Sequence, residues 1–186
     1  MANKILTPQT LPSILQRRQR SGERVVFTNG CFDLLHIGHI RYLQAARVLG
    51  DLLVVAVNSD DSVRSLAKGP GRPLIPAAQR MEVLAALTCV DYVLQFDEPT
   101  PFQIIETLQP DVLVKGGDWS VEHIVGKDVV EGRGGMVKSI PLIPDVSTTL
   151  IIERIQQMHM NADKSRKTAT RQASVNPSLP DPTTTS

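Results

Sequence analysis

Short apolar runs recur along the chain and predict the strands of one sheet. The runs at 51–57 and 111–114 are largely apolar, which is typical of strands buried on both faces of a parallel sheet. Shorter runs at 25–27, 92–96 and 136–140 complete the set. Because segments with helical periodicity separate these runs, the pattern predicts a doubly wound α/β fold with right-handed crossovers.

Apolar residues at helical spacing, together with capping residues and glycine stops, predict the helices. The first helix follows Thr10 and Pro12 and stops at Gly22, and the second stops at Gly50. The first helix is interpreted as packing material with a solvated basic face. The remaining predicted helices lie at 62–66, 76–87, 101–108, 121–131 and 150–157.

The chain is predicted to have three parts. Residues 1–22 form an N-terminal helical extension, and residues 23–159 form the α/β domain. Residues 160–186 are polar, rich in Ser, Thr and Pro, and nearly free of large apolar side chains, so they cannot support a packed core. We expect this tail to be disordered.

The composition narrows the class of protein. With 186 residues, of which 41% are hydrophobic and 21% charged, the chain is typical of one globular domain. No apolar run approaches the length of a membrane span and the first residues lack a signal-peptide core, so we expect a cytoplasmic protein without a membrane partner. The formal charge of +1 argues against a nucleic-acid partner.

Two histidines stand where the first strand passes into a helix. His36 and His39 follow the strand at 25–27 and open the next helix. A helix that begins after a parallel strand directs unpaired N–H groups and its positive dipole end at the carboxyl edge of the sheet, where anions bind. Both histidines can face one anion, because Gly38 between them has no side chain to keep a phosphate from the backbone.

Two other interpretations of the histidine pair stay open, a zinc site or two solvated side chains. Zinc needs three or four ligands, whereas His123 and His159 lie in unrelated segments. The two cysteines, Cys31 and Cys89, support neither a disulfide framework nor a thiolate zinc site. Nothing else in the sequence indicates acyl chemistry, which argues against a nucleophilic Cys31.

Two loops carry further candidate groups. The strand at 51–57 ends in a polar cluster that includes Asn58 and Asp60, and these side chains should lie on the sheet edge that carries the histidines. Residues 68–73 combine two glycines and two prolines with Lys68 and Arg72. This loop is either a surface turn or a basic flap over phosphates.

Hydroxyl side chains precede the last predicted helix. Ser147, Thr148 and Thr149 offer hydroxyls and backbone N–H groups at its start. They are either an ordinary N-cap or another phosphate site.

The segment 28–39 reads TNGCFDLLHIGH and resembles the signature of the H-x-G-H nucleotidyltransferases, which transfer a nucleoside monophosphate from a nucleoside triphosphate to a phosphorylated acceptor. It looks most like the adenylyltransferases of ADP-heptose synthesis, which occur alone or joined to a kinase. The resemblance extends to 69–73, 80–87, 111–119 and 147–149, and covers most of the chain from about residue 11 to residue 157. Since no segment is long enough for the kinase half, we expect the stand-alone form.

The resemblance implies a Rossmann-like parallel sheet of about five strands in the order 3-2-1-4-5, with the nucleotide bound at the switch between strands one and four. It implies transfer of AMP from ATP, accompanied by Mg²⁺, to D-glycero-β-D-manno-heptose 1-phosphate for lipopolysaccharide core or related glycan synthesis. A homodimer is also expected. The order of strands would bring Gly116, Gly117 and Trp119 beside the histidines, where the glycines let a flat base approach and the indole either lines the pocket or packs.

The resemblance also implies the site residues. The catalytic residues are predicted to be His36, His39, Lys68 and Arg72. The nucleotide-binding residues are predicted to be Thr28, Asn29, Gly30, Cys31, Phe32, Gly38, Asn58, Asp60, Arg80, Lys115, Gly116, Gly117, Asp118, Trp119, Ser147, Thr148 and Thr149. No protein metal site is expected.

The chain departs from one branch of the family. The glycerol-phosphate cytidylyltransferases have an arginine shortly before their Ser-Thr-Thr run, whereas this chain has Pro144, Asp145 and Val146 there. That difference favours the heptose branch. The alternatives are a cytidylyltransferase acting on glycerol 3-phosphate or a similar small phosphate, a flavin adenylyltransferase, or a nucleotide sensor without turnover.

Overall fold

The computed structural model describes residues 3–66, 71–117 and 119–175, with side chains described as far as residue 162. The chain divides into two compact units, residues 1–146 and residues 147–186. The strands are β1 Val25–Gly30, β2 Leu52–Asn58, β3 Tyr92–Phe96, β4 Val112–Gly116 and β5 Met136–Ile140. The helices are α1 Leu11–Arg20, α2 Ile37–Arg47, α3 Asp60–Ser65, α4 Ala77–Ala85, α5 Phe102–Leu108, α6 Lys127–Glu131 and α7 Thr148–Val175, with a 3-10 turn at Val121–His123.

The five strands form one parallel sheet in the order β3-β2-β1-β4-β5. This confirms the predicted fold class and strand order. The apolar run at 51–57 becomes β2, which is buried at all seven positions, as expected for a strand covered on both faces. β1 extends beyond its apolar run because Thr28, Asn29 and Gly30 continue to pair with β2.

Apolar residues fill both faces of the sheet, and alternate residues of each strand contribute to opposite faces. The first face, here called the α1 face, buries Leu11, Leu15, Phe27, Ile105 and Leu113 among others. The second, the α2 face, buries Val26, Tyr42, Leu43, Leu84 and Val114 among others. The helix α1 is therefore packing material, as its sequence predicted.

The segment before α1 covers the free edge of β3. The Leu6 N–H donates to the Val93 carbonyl at 2.9 Å, and the Val93 N–H donates to the Lys4 carbonyl at 2.9 Å. The Lys4 Nζ also donates to the carbonyls of Leu87 and Val90, at 3.0 and 2.7 Å. These bonds occupy backbone groups that an exposed edge strand would offer to other chains.

The second unit differs from the sequence prediction. We predicted a helix ending at residue 157 and disorder from 161, whereas α7 continues to Val175. Residues 158–175 contain no glycine or proline and many good helix formers, so nothing in the sequence stops the helix before Pro177. Residues 176–186 lie outside the described residues. No helix in the described ranges is long and apolar enough to cross a membrane.

A buried tyrosine ties α2 to the two central strands. The Tyr42 hydroxyl lies 2.6 Å from Thr28 Oγ1 and donates to the Val114 carbonyl at 3.2 Å. Burial raises the pKa of this phenol well above its usual range. Thr28 is fully buried and its hydroxyl serves this contact inside the fold, whereas we had predicted that Thr28 binds the nucleotide.

Replacing Tyr42 by Phe should lower the free energy of unfolding by about 1–2 kcal/mol, because the Thr28 hydroxyl loses its buried partner. The half-buried Tyr92 offers a matched control, and Tyr92→Phe should change the free energy by about 0.5 kcal/mol or less. Urea denaturation measures both values. Equal losses in the two variants would contradict a special role for the Tyr42 hydroxyl.

Candidate functional site

The predicted histidine turn lies at the carboxyl edge of the sheet, between the end of β1 and the start of α2. The His36 and His39 rings are stacked, with centroids 3.9 Å apart and planes 26° apart. The Phe32 ring is tilted against His39 at a centroid distance of 5.4 Å. α2 begins at Ile37, so both imidazoles stand at the end of the helix where its positive dipole and unpaired N–H groups lie.

His36 is held in a poorly hydrated position. Its Nδ1 is buried and has no hydrogen-bond partner among the described residues. Burial lowers the pKa of His36, because the charged imidazolium loses hydration. A Cβ at Gly38 would lie 2.9 Å from that Nδ1. Gly38 therefore makes room for the His36 ring, and its predicted role in admitting a phosphate to the backbone stays a prediction.

Phe32 adopts an uncommon backbone conformation beside the histidines. Its φ is +48°, in the left-handed region that non-glycine residues rarely occupy, and its side chain is buried. A Cβ at Gly30 would lie 3.0 Å from the Phe32 ring. Gly30 thus makes room for the phenyl group that packs against His39, and such over-determined backbone positions cluster at functional sites.

The buried Asp33 was missed by the sequence analysis. Its carboxylate accepts a hydrogen bond and ion pair from Arg72 Nε, and it accepts the N–H groups of Leu74 and Ile75 at 2.9 and 2.8 Å. The Arg72 side chain is 10% exposed. The sequence analysis placed Arg72 in a surface turn or a basic flap over phosphates, and its burial against Asp33 was not predicted. An acidic residue inside a predicted anion-binding segment was the available signal, because it requires a cation of its own.

Other parts of the predicted flap cannot be placed. Lys68, Gly69 and Pro70 lie outside the described residues, as does Asp118.

Arg80 is buried and bonded to protein groups. Its guanidinium donates to the Ile75 carbonyl at 2.9 Å, to the Asn58 carbonyl at 2.9 Å and to the Cys31 carbonyl. It also pairs with Asp60 Oδ1 at 2.7 Å. These partners hold the loop after β1, the end of β2 and the segment before α4 together. We had predicted that Arg80 contacts the triphosphate, whereas the structure uses its donors within the protein.

The polar groups at the end of β2 also bond internally. Asn58 Nδ2 donates to Ser62 Oγ at 2.9 Å, and the Cys31 thiol points at Asn58 Oδ1 at 3.9 Å. Asp60 Oδ1 accepts the Ala77 N–H at 2.9 Å as well as Arg80. Asn58, Asp60 and Cys31 are thus brought to the same edge as the histidines, as predicted, and they act there as a framework.

A cleft opens at the carboxyl ends of β1 and β4. Its volume is about 140 Å³. Among its lining residues, Lys115 Nζ donates to Asn29 Oδ1 at 3.3 Å, and Trp119 has 54% of its surface exposed. Gly117 has a φ of +114°, and a Cβ there would lie 3.2 Å from the indole. Trp119 thus lines this cleft, which is one of the two alternatives that the sequence left open.

The Ser147–Thr149 run belongs to the second unit. Ser147 Oγ accepts the Leu150 N–H at 3.1 Å, and the Ser147 carbonyl accepts the Ile151 N–H at 3.1 Å. Ser147 therefore caps α7, as the sequence predicted. Among the described residues, no group of three or more histidine, cysteine or acidic side chains could hold a metal ion.

Comparison with known proteins identifies relatives. A family model described as cytidylyltransferase-like matches residues 27–154. The chain is 58% identical over 153 residues to the bifunctional protein HldE of Syntrophotalea carbinolica. The matched segment covers 82% of this chain and 31% of that protein. The bifunctional protein HldE of Alcanivorax borkumensis is 52% identical over 153 residues, with 82% and 32% covered. The chain thus spans about a third of the length of these relatives.

Two solved structures are also similar. The crystal structure of the lipopolysaccharide core biosynthesis protein from Thermoplasma volcanium GSS1 superposes with a TM-score of 0.55 at 29% identity, and covers 66% of this chain and 98% of that one. Pantoate-beta-alanine ligase from Francisella tularensis gives a TM-score of 0.52 at 15% identity, with 75% of this chain and 67% of that chain covered. The second likeness shows the fold alone.

Replacing Arg72 by Ala should lower the free energy of unfolding by about 1.5–3 kcal/mol, because Asp33 then keeps a buried charge with fewer donors. Arg72→Lys should recover part of this loss. Arg64 is a matched control, since its ion pair with Asp61 is exposed, and Arg64→Ala should cost about 0.5 kcal/mol or less. Chemical denaturation measures each value. A small loss for Arg72→Ala would show that the fold does not depend on the Arg72–Asp33 pair.

Binding of a triphosphate should be coupled to proton uptake at His36. The lowered pKa keeps this imidazole neutral near pH 7 in the free protein, and a nearby anion raises the pKa, so affinity for ATP-Mg should increase as the pH falls from about 8 to about 6. The stability of the free protein should decrease over the same fall, because the unfolded state binds more protons there. Calorimetry in two buffers with different ionisation enthalpies measures the uptake. If His36→Asn takes up as many protons as the wild type, another group is responsible.

Proposed function

The chain belongs to the cytidylyltransferase-like family, and we propose that it transfers AMP from ATP to D-glycero-β-D-manno-heptose 1-phosphate, releasing pyrophosphate and ADP-heptose. The observation that carries this proposal is the stacked His36–His39 pair at the start of α2, at the sheet edge where a triphosphate can reach the helix N–H groups. The similarity to bifunctional protein HldE and to a lipopolysaccharide core biosynthesis protein supports the heptose acceptor.

The reaction needs positioning and charge stabilisation more than acid–base chemistry. An oxygen of the acceptor phosphate forms a bond to the α-phosphorus of ATP, and the bond from that phosphorus to the bridging oxygen of the β-phosphate breaks. The electron pair leaves with pyrophosphate. The acceptor oxygen is already anionic, so no protein base is required. His36 and His39 donate to the phosphate oxygens as charge shifts, and preorganised donors of this kind are worth about 2.7–4 kcal/mol each in the transition state.

The other predicted residues enter this proposal in different ways. Mg²⁺ arrives with ATP as part of the substrate. Arg80 and Asp33 act on the site by fixing its loops, and Arg72 is paired with Asp33 through its Nε. Lys68 and the Ser147–Thr149 run remain proposed phosphate ligands. Residues 23–159 are proposed as the catalytic part, with an N-terminal extension at 1–22, a tail at 160–186, a cytoplasmic location and a homodimer.

A substrate panel tests the proposal. Pyrophosphate release should be fastest with ATP and D-glycero-β-D-manno-heptose 1-phosphate, compared with CTP as donor and with mannose 1-phosphate or glycerol 3-phosphate as acceptor. His39→Ala should lower turnover by about a hundredfold or more with nearly unchanged melting temperature, because it removes transition-state stabilisation alone. The exposed His159 gives a control, and His159→Ala should stay within about twofold of the wild type.

The panel also separates the alternatives. Preference for CTP with glycerol 3-phosphate would show a cytidylyltransferase instead. ATP binding without turnover on any acceptor would show a nucleotide sensor. Near-normal turnover of His39→Ala would remove that histidine from the mechanism.

A further inference from the structure

The cleft at the ends of β1 and β4 lies on the sheet face opposite to α2. Leu113 of β4 and Ile124 line it, and both belong to the core of the α1 face. The lining is completed by Asn29, Pro101, Lys115, Trp119, His123 and Val125. The α2 face holds instead the residues around the histidine turn, such as Phe32 and Tyr42. The sheet therefore lies between this cleft and α2.

The strands themselves explain why the cleft is close to the histidines. Side chains two residues apart on a strand share a face, so Asn29 follows Phe27 and Lys115 follows Leu113 on the α1 face. Asn29 is also the penultimate residue of β1, so it stands shortly before the loop that carries the histidines. A ligand in the cleft thus touches the carboxyl end of β1 from one side, while a ligand at the start of α2 touches it from the other.

The lining of the cleft favours a ring with polar substituents. The cleft has a volume of about 140 Å³ and opens to solvent. One wall is apolar and includes the half-exposed indole of Trp119, a surface suited to the C–H face of a sugar. The lining also includes the Asn29 amide, the Lys115 ammonium and the exposed His123.

We propose that this cleft binds the sugar ring of the acceptor sugar 1-phosphate, with the ring against Trp119 and the phosphate directed past Lys115 toward the histidine turn. This inference rests on the proposed function. Asn29, Lys115 and Trp119 then select the acceptor, and they do not bind the nucleotide as we had predicted from the sequence.

The geometry of the reaction supports separate sites for the acceptor and the triphosphate. In phosphoryl-type transfer the attacking and leaving oxygens lie roughly in line on opposite sides of the phosphorus. If the histidines at the start of α2 hold the triphosphate, the acceptor must approach from the other side. The cleft is on that side of the sheet edge, and its ammonium group offsets the repulsion between the two anions.

Trp119 is the single tryptophan of the chain, so its fluorescence reports on the cleft directly. In the wild-type protein, D-glycero-β-D-manno-heptose 1-phosphate should change the emission in a saturable way without any nucleotide. Inorganic phosphate, which lacks the ring, should leave it nearly unchanged. An emission change produced by ATP-Mg and absent with the sugar phosphate would place the base in the cleft and overturn the proposal.

Steady-state kinetics give the second readout. Trp119→Ala should raise the KM for the sugar phosphate about tenfold while the KM for ATP changes by about twofold or less. Trp119→Phe should recover most of the loss, and His123→Gln on the exposed turn should raise the same KM by a smaller factor. The exposed Val48 supplies a control outside the cleft, and Val48→Ala should match the wild type in both constants.

The outcomes separate this inference from the function it rests on. If wild-type protein turns over and the cleft variants raise the KM for ATP, or raise neither KM, the cleft is not the acceptor site while the proposed function stands. If wild-type protein turns over no sugar phosphate, the proposed function fails and the inference fails with it.

Discussion

The buried guanidinium of Arg80 is the interaction on which the carboxyl edge of the sheet depends. A buried cation is costly unless hydrogen bonds and an opposite charge offset its lost hydration. Here three backbone carbonyls and the Asp60 carboxylate do so. The carbonyls come from the loop after β1, the end of β2 and the segment before α4. The spacing of the candidate site is therefore fixed by a group that does not face the site.

Asp33 repeats this arrangement with the opposite charge. Its carboxylate collects Arg72 and two backbone N–H groups, which hold the segment at 72–75 against the histidine turn. Two internally paired charges thus form the frame, while the stacked imidazoles and the cleft beside β4 present surface to a ligand. A site held by its surroundings in this way needs little rearrangement when charge develops during a reaction.

The sequence predicted those features that repeat along the chain. Strands and helices follow from apolar periodicity, and the bounds of β3 and β5 agree with the predicted runs. The histidine turn followed from its place between a strand and a helix. The internal partners of Arg72 and Arg80 were not predicted, because a cation has the same sequence signature whether its partner is a ligand or a buried carboxylate. α7 was predicted too short because the polar composition of its second half indicated that this part forms no packed core. A helix rich in good helix formers can continue without one.

The order of strands explains why two different surfaces meet at one edge. The connection after β1 leaves through α2 on one face, and the connection that returns to β4 comes through α5 on the other face, so the edge between β1 and β4 is open. β1 contributes to both surfaces, because Thr28 faces Tyr42 on the α2 face while Asn29 lines the cleft. Two ligands that meet at this edge can therefore be held by separate groups, the imidazoles at the start of α2 and the Lys115 ammonium, each fixed by its own face of the sheet.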